Sequence, residues 1–148
     1  MSEPVYCGAA WLLPGSVRTF SGRIERGQCW LEFRVQGHGE LRRALIDTGH
    51  SDVTLSRDLV LACGMQPSFA DGYRVESIGR VVRPVATCRA TLLFSPRRGD
   101  DLAVTDSFLV DDVDPRMGAI LGMALLSRGV LTVDGPAGEW EWRVKSPG

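Results

Sequence analysis

Close cysteine pairs are missing from this sequence. Cys7, Cys29, Cys63 and Cys88 stand far apart in 148 residues, and no two have the spacing of a zinc knuckle or a redox motif. Free thiols, buried or half-buried, are therefore expected, which points to a reducing, cytoplasmic setting. Histidine is scarce too, with only His38 and His50, and no serine sits in a glycine-flanked elbow. That argues against a serine hydrolase and leaves Ser51 and Ser56 without a nucleophilic role. Long apolar runs are absent, so no transmembrane span is read. The apolar stretch at residues 9–13 is short, lacks a basic segment before it and is interrupted by Pro14, which does not make a signal peptide. Charge of one sign is lacking as well: the net charge is -1, giving no footprint for nucleic acid.

What the chain does have is an ordinary globular composition, 44% hydrophobic and 24% charged. Its length suits one domain that buries roughly two-thirds of its unfolded surface without disulfide support. Residues 1–23, with Pro4, Pro14 and Gly15 and no sustained period, read as an N-terminal arm or edge strand, leaving residues 24–148 as the domain.

Periodicity is mostly that of strands. Over residues 28–36, Cys29, Leu31, Phe33 and Val35 alternate with Trp30, Glu32 and Arg34, giving one dry and one wetter face. A turn at Gly37-His38-Gly39 leads into a second strand over residues 40–46. Val53, Thr54 and Leu55 form another, after which Ser56 caps a short helix over 57–63 with Gly64 as its stop. Residues 73–95 read as a long hairpin with its tip near Ser77, Ile78, Gly79 and Arg80, and Pro84 assigns part of it to a sheet edge. A strand over 102–110 follows. A buried strand at Ala119-Ile120-Leu121 then ends in Gly122, opening a second short helix over 123–128 and a last hairpin, 130–133 with 139–144. The surrounding charges, including Arg97, Arg98, Asp100, Asp101, Asp111, Asp112 and Asp114, read as solvated loop faces, and Trp140 and Trp142 as structural or interface residues. The sum is a mostly β protein, a small closed or partly closed β-barrel with short helices after Ser56 and Gly122.

One stretch breaks the pattern. In residues 41–56, LRRALIDTGHSDVTLS, the apolar run Ala44-Leu45-Ile46 delivers a carboxylate, Asp47, onto a tight Thr48-Gly49 turn before the chain returns to strand. A charge there must be paired, hydrogen-bonded or kept protonated.

Residues 44–56, ALIDTGHSDVTLS, and 119–126, AILGMALL, with a terminal hairpin built on 131–135 and 140–144, resemble the retropepsin-like, single-lobe aspartic proteases of bacterial and retroviral type. The resemblance spans residues 28–144 and implies an acid-protease barrel with Asp47 as the catalytic residue. Thr48, Gly49, His50 and Ser51 would form the active-site loop and support the dyad. Ser77, Ile78, Gly79 and Arg80 would be a flap over substrate, and Ile120, Leu121 and Gly122 would brace the loop from beneath. No metal or organic cofactor is implied. Such chemistry needs two carboxylates sharing a proton, one to deprotonate water and one to protonate the substrate. Only one Asp-Thr-Gly is present; Asp71-Gly72 and Asp134-Gly135 lack the hydroxyl and the leading apolar strand. The expectation is thus a homodimer with Asp47 from each copy on a two-fold axis, acting on extended polypeptide. His50 departs from the small residue usual at its position, and the flap lacks paired glycines. Two other readings stand beside the protease: a catalytically silent dimerisation or peptide-binding module of the same fold, and a plain β-barrel binding domain in which Asp47 only makes a turn.

Overall fold

In the computed structural model, which describes residues 17–69, 74–76 and 82–145, strands dominate. The first, β1 (Val17–Arg23), is the edge strand of a sheet, and its Phe20 is buried in the main core. β2 (Trp30–Val35) realises the alternation of its sequence: Leu31, Phe33 and Val35 are buried while Glu32 is exposed. Gly37, at φ +90°, turns the chain into β3 (Arg42–Ile46), which lies antiparallel to β2 with Trp30 opposite Leu45.

All four residues of β4 (Val53–Ser56) are buried. Its polar members therefore need internal partners, and Ser56 finds one by capping α1 (Arg57–Ala62): its Oγ accepts the Leu59 N–H at 3.4 Å. Gly64, at φ +69°, ends the turn that follows this helix. β5 (Arg74–Glu76) and β6 (Val82–Pro84) form a separate two-stranded hairpin. The long hairpin expected over 73–95 is thus shorter, because β7 (Ala86–Phe94) departs from it to pair with β8 (Leu102–Asp111) and β2. Burial accompanies the departure: Val85, Ala86, Thr87 and Cys88 are all buried where the chain joins the barrel wall.

β9 (Ala119–Leu121) enters between β3 and β4, parallel to the first and antiparallel to the second. This closes a six-stranded barrel in the order β2-β3-β9-β4-β8-β7. α2 (Met123–Leu126) is shorter than the helix expected over 123–128, since β10 (Gly129–Asp134) starts at once and pairs with β11 (Glu139–Lys145). β11 is the middle strand of the sheet β1-β11-β10 and turns Trp140, Trp142 and Val144 inward. Trp142 packs 5.3 Å from Phe20, whose ring meets Phe94 edge-on at 6.4 Å, so aromatic contacts join this sheet to the barrel. The indole N–H of Trp142 donates to Leu126 O at 3.1 Å, tying α2 to the same core. Both tryptophans are structural. Among the described residues no helix is long and apolar enough to cross a membrane.

Candidate active site

The apolar run of β3 ends at Ile46, paired with Leu121 of β9, and the next residue is Asp47. Its backbone N–H extends the ladder one step, donating to Leu121 O at 3.0 Å. The chain then reverses. His50 N–H donates to Asp47 O at 3.1 Å, closing a turn with Thr48 and Gly49 at its centre, and Gly49 N–H donates to Asp47 Oδ1 at 3.0 Å. The carboxylate thus serves as acceptor for its own turn, which fixes one oxygen. Among the described residues no cation forms an ion pair with it. Asp47 is half-buried, whereas Thr48 and Gly49 are exposed. A β-carbon on Gly49 would come 3.3 Å from Asp47 Oδ1, so a side chain there would crowd the carboxylate.

Support for this turn comes from β9 and α2. Leu121 is fully buried, and Ile120 pairs with both Leu45 and Thr54, so one short strand holds the two arms of the loop together. A β-carbon on Gly122 would collide with the carbonyl oxygens of His50 and Asp52; glycine is what permits the approach. Immediately after it, Met123 N–H donates to His50 O at 2.8 Å and Ala124 N–H to Ser51 O at 2.7 Å. The first N–H groups of a helix have no partner within it, and here loop carbonyls take them. Ser51 itself is exposed, its hydroxyl donating to Asp52 Oδ2 at 3.2 Å.

Asp47, Thr48, Gly49, His50 and Ser51 therefore form one loop, with Ile120, Leu121 and Gly122 packed behind it. Ser77, Ile78, Gly79 and Arg80, expected as a flap, lie outside the described residues; β5 and β6 flank them in sequence. Sequence reasoning missed Thr54. It is 4% exposed on β4, and its Oγ1 lies 3.0 Å from His50 Nε2. The available signal was the position itself, a hydroxyl in a strand buried on both faces, four residues after an imidazole.

The cysteines among the described residues are poorly prepared as nucleophiles. Burial pushes the free thiols of Cys29, Cys63 and Cys88 up from their ordinary range. Among the described residues, no group of three or more His, Cys, Asp or Glu side chains is arranged to hold a metal ion. Asp114 is strongly perturbed: hydrogen bonds from the Arg116 side chain and backbone hold it down at about 2. It belongs to an exposed turn before β9, with Arg116 Nη2 at 2.6 Å, and takes no part in the loop around Asp47.

The fold has a counterpart among solved structures. A retropepsin-like aspartic protease from Rickettsia conorii matches with a TM-score of 0.61 and 16% identity, over 88% of this chain and 94% of that one. The fold is retropepsin-like. A retroviral protease-like domain of Ddi1 from Leishmania major also aligns, with a TM-score of 0.45 and 14% identity, over 72% of this chain and 77% of that one. No protein-family model matches the sequence, and no curated protein is similar to it by sequence.

Proposed function

We propose that this protein is a homodimeric aspartic endopeptidase, hydrolysing peptide bonds in extended polypeptide through Asp47 of each of two copies. The observation that carries the reading is the half-buried Asp47, held on a hydrogen-bonded turn at the end of β3 of a retropepsin-like barrel and lacking any cationic partner among the described residues. The exposed Thr48 and Gly49 beside it give a second copy room to approach.

In the proposed dimer the two carboxylates lie within hydrogen-bond reach and share one proton, because two like charges that close do not both ionise. The ionised member takes a proton from a water molecule, which attacks the scissile carbonyl carbon. The protonated member gives its proton to the carbonyl oxygen, forming a neutral gem-diol. Collapse of that intermediate breaks the C–N bond as the amine leaves with a proton returned from the dyad. Thr48 locks the paired loops, Gly49 lets substrate backbone approach, and residues 77–80 close over the peptide and exclude water. No metal or organic cofactor enters this scheme. A reducing cytoplasm is the setting assigned, in keeping with the free thiols.

The test is cleavage of a peptide library by purified protein, beside Asp47→Asn and with a pepstatin-like inhibitor. Cleavage by wild type, lost in Asp47→Asn and blocked by the inhibitor, is expected. Equal cleavage by both proteins would remove the assignment, and cleavage by neither would favour a silent binding module. Sedimentation supplies an independent check, since a strict monomer at assay concentration contradicts a shared dyad.

A further inference from the structure

The side chain of His50 is committed to the protein interior. Its Nε2 is hydrogen-bonded to Thr54 Oγ1 at 3.0 Å, and Thr54 is 4% exposed in a strand with no exposed residue. That hydroxyl has little water to turn to, so the imidazole is what satisfies it. The backbone of His50 is engaged at both ends as well: its N–H goes to Asp47 O, and its O receives the N–H of Met123 at the start of α2. Side chain, N–H and carbonyl therefore reach three different places, namely β4, the aspartate itself and α2.

We propose that His50 is a positioning residue for Asp47, acting through its bond to Thr54; this rests on the aspartic-endopeptidase reading above. The physical argument concerns the turn. Asp47 and His50 are its two ends, joined by one backbone hydrogen bond, and the direction of the carboxylate depends on how that turn is rotated on its base. Thr54, within the barrel wall, is rigid. Pinning the ring to it removes rotation at the far end of the turn and fixes the aspartate at the near end. A group that holds geometry without meeting substrate alters turnover more than substrate affinity.

The experiment measures kcat and KM on a cleaved peptide for His50→Ala, Thr54→Val, the double variant and Thr54→Ser, with the melting temperature of each. Thr54→Val keeps the volume and removes the hydrogen bond. Each single change is expected to lower kcat by about tenfold with KM within about twofold, and the double variant to be no worse than either, because the two residues act as one unit. Thr54→Ser, which keeps the hydroxyl, should retain most of the rate. Imidazole nitrogen NMR adds a readout that simple destabilisation does not give: Thr54→Val should shift the His50 signals and leave those of the exposed His38 in place. Unchanged kcat in folded Thr54→Val, or additive losses in the double variant, would overturn the proposal. Should Thr54→Val fail to fold, His50→Gln against His50→Ala decides: a rate kept by Gln and lost in Ala supports positioning, while a rate kept by Ala overturns it. Wild type that cleaves nothing defeats the endopeptidase reading itself, an outcome distinct from active enzyme indifferent to Thr54.

Discussion

Gly122 lies against the carbonyl of His50 so closely that a β-carbon would overlap that oxygen and the neighbouring oxygen of Asp52. The base of the second helix and the loop bearing the aspartate are therefore in backbone contact, with no side chain between them.

Gly122→Ala follows directly from this contact. The added methyl meets backbone, which cannot rotate away, so the variant should lose about 1–3 kcal/mol of stability. Cleavage should fall further than the loss of folded protein explains, as the loop moves off β9. Urea titration together with turnover per folded molecule checks both parts; an unchanged midpoint would mean that α2 shifts freely.

Mixing experiments address the pairing of carboxylates. When equal amounts of wild type and Asp47→Asn are allowed to exchange subunits, random pairing leaves about one quarter of dimers with two aspartates. Activity should settle near that fraction of the same total concentration of wild type. A value near one half would show that each chain works alone. The asparagine keeps an oxygen for the Gly49 N–H, so melting temperature should change little.

Trp142→Phe tests the anchor beneath α2. The indole N–H lost in this change leaves the buried Leu126 carbonyl without that donor, at a cost of about 1–3 kcal/mol. The ring of Phe20 also loses part of its packing surface. Chemical denaturation reads the sum, and a loss below about 0.5 kcal/mol would mean that water replaces the indole at no penalty.

Asp114 gives a pH prediction with a definite sign. Its carboxyl is lowered from 3.8 to about 2 by the Arg116 side-chain and backbone hydrogen bonds. A depressed carboxylate contributes stability that is fully present above its unfolded value of 3.8 and is lost as pH falls through about 2. Carboxyl NMR should locate the titration near 2, and Arg116→Ala should raise it, the side-chain bond being the larger cause. The pair is exposed, so the effect on global unfolding should be small and weaker in salt.

Much of this architecture is legible in the residues because local chemistry and final burial agree. The alternation around Leu31, Phe33 and Val35 becomes the inner face of β2, and Ser56 caps the helix that its type and position announce. The turn at Asp47 is read from an apolar strand ending in an acid, while its support at 120–122 is what the retropepsin resemblance implies. What local pattern does not carry is partner choice. Residues 86–94 have the same strand-forming composition whether they continue a hairpin or join the barrel, and the burial of Val85 to Cys88 accompanies the second. The link between His50 and Thr54 is hidden for a related reason: a histidine beside an aspartate invites an electrostatic reading, and which way its ring turns depends on a buried hydroxyl in the next strand. Trp140 and Trp142 were legible as structural, but their full burial depends on β1, whose own sequence has no clear period.

The threading of β9 between β3 and β4 has a consequence for the order in which the protein is made. Until Leu121 arrives, the N–H of Asp47 has no carbonyl to bond and the two arms of its loop have nothing between them. During synthesis, when the earlier segments emerge first, the aspartate loop must wait for a segment from far downstream. A nascent or truncated chain lacking β9 would carry the acid without the geometry that aims it. Under the endopeptidase proposal, such late assembly would keep the cutting group idle while the surrounding chains, its own included, are still unfolded and vulnerable.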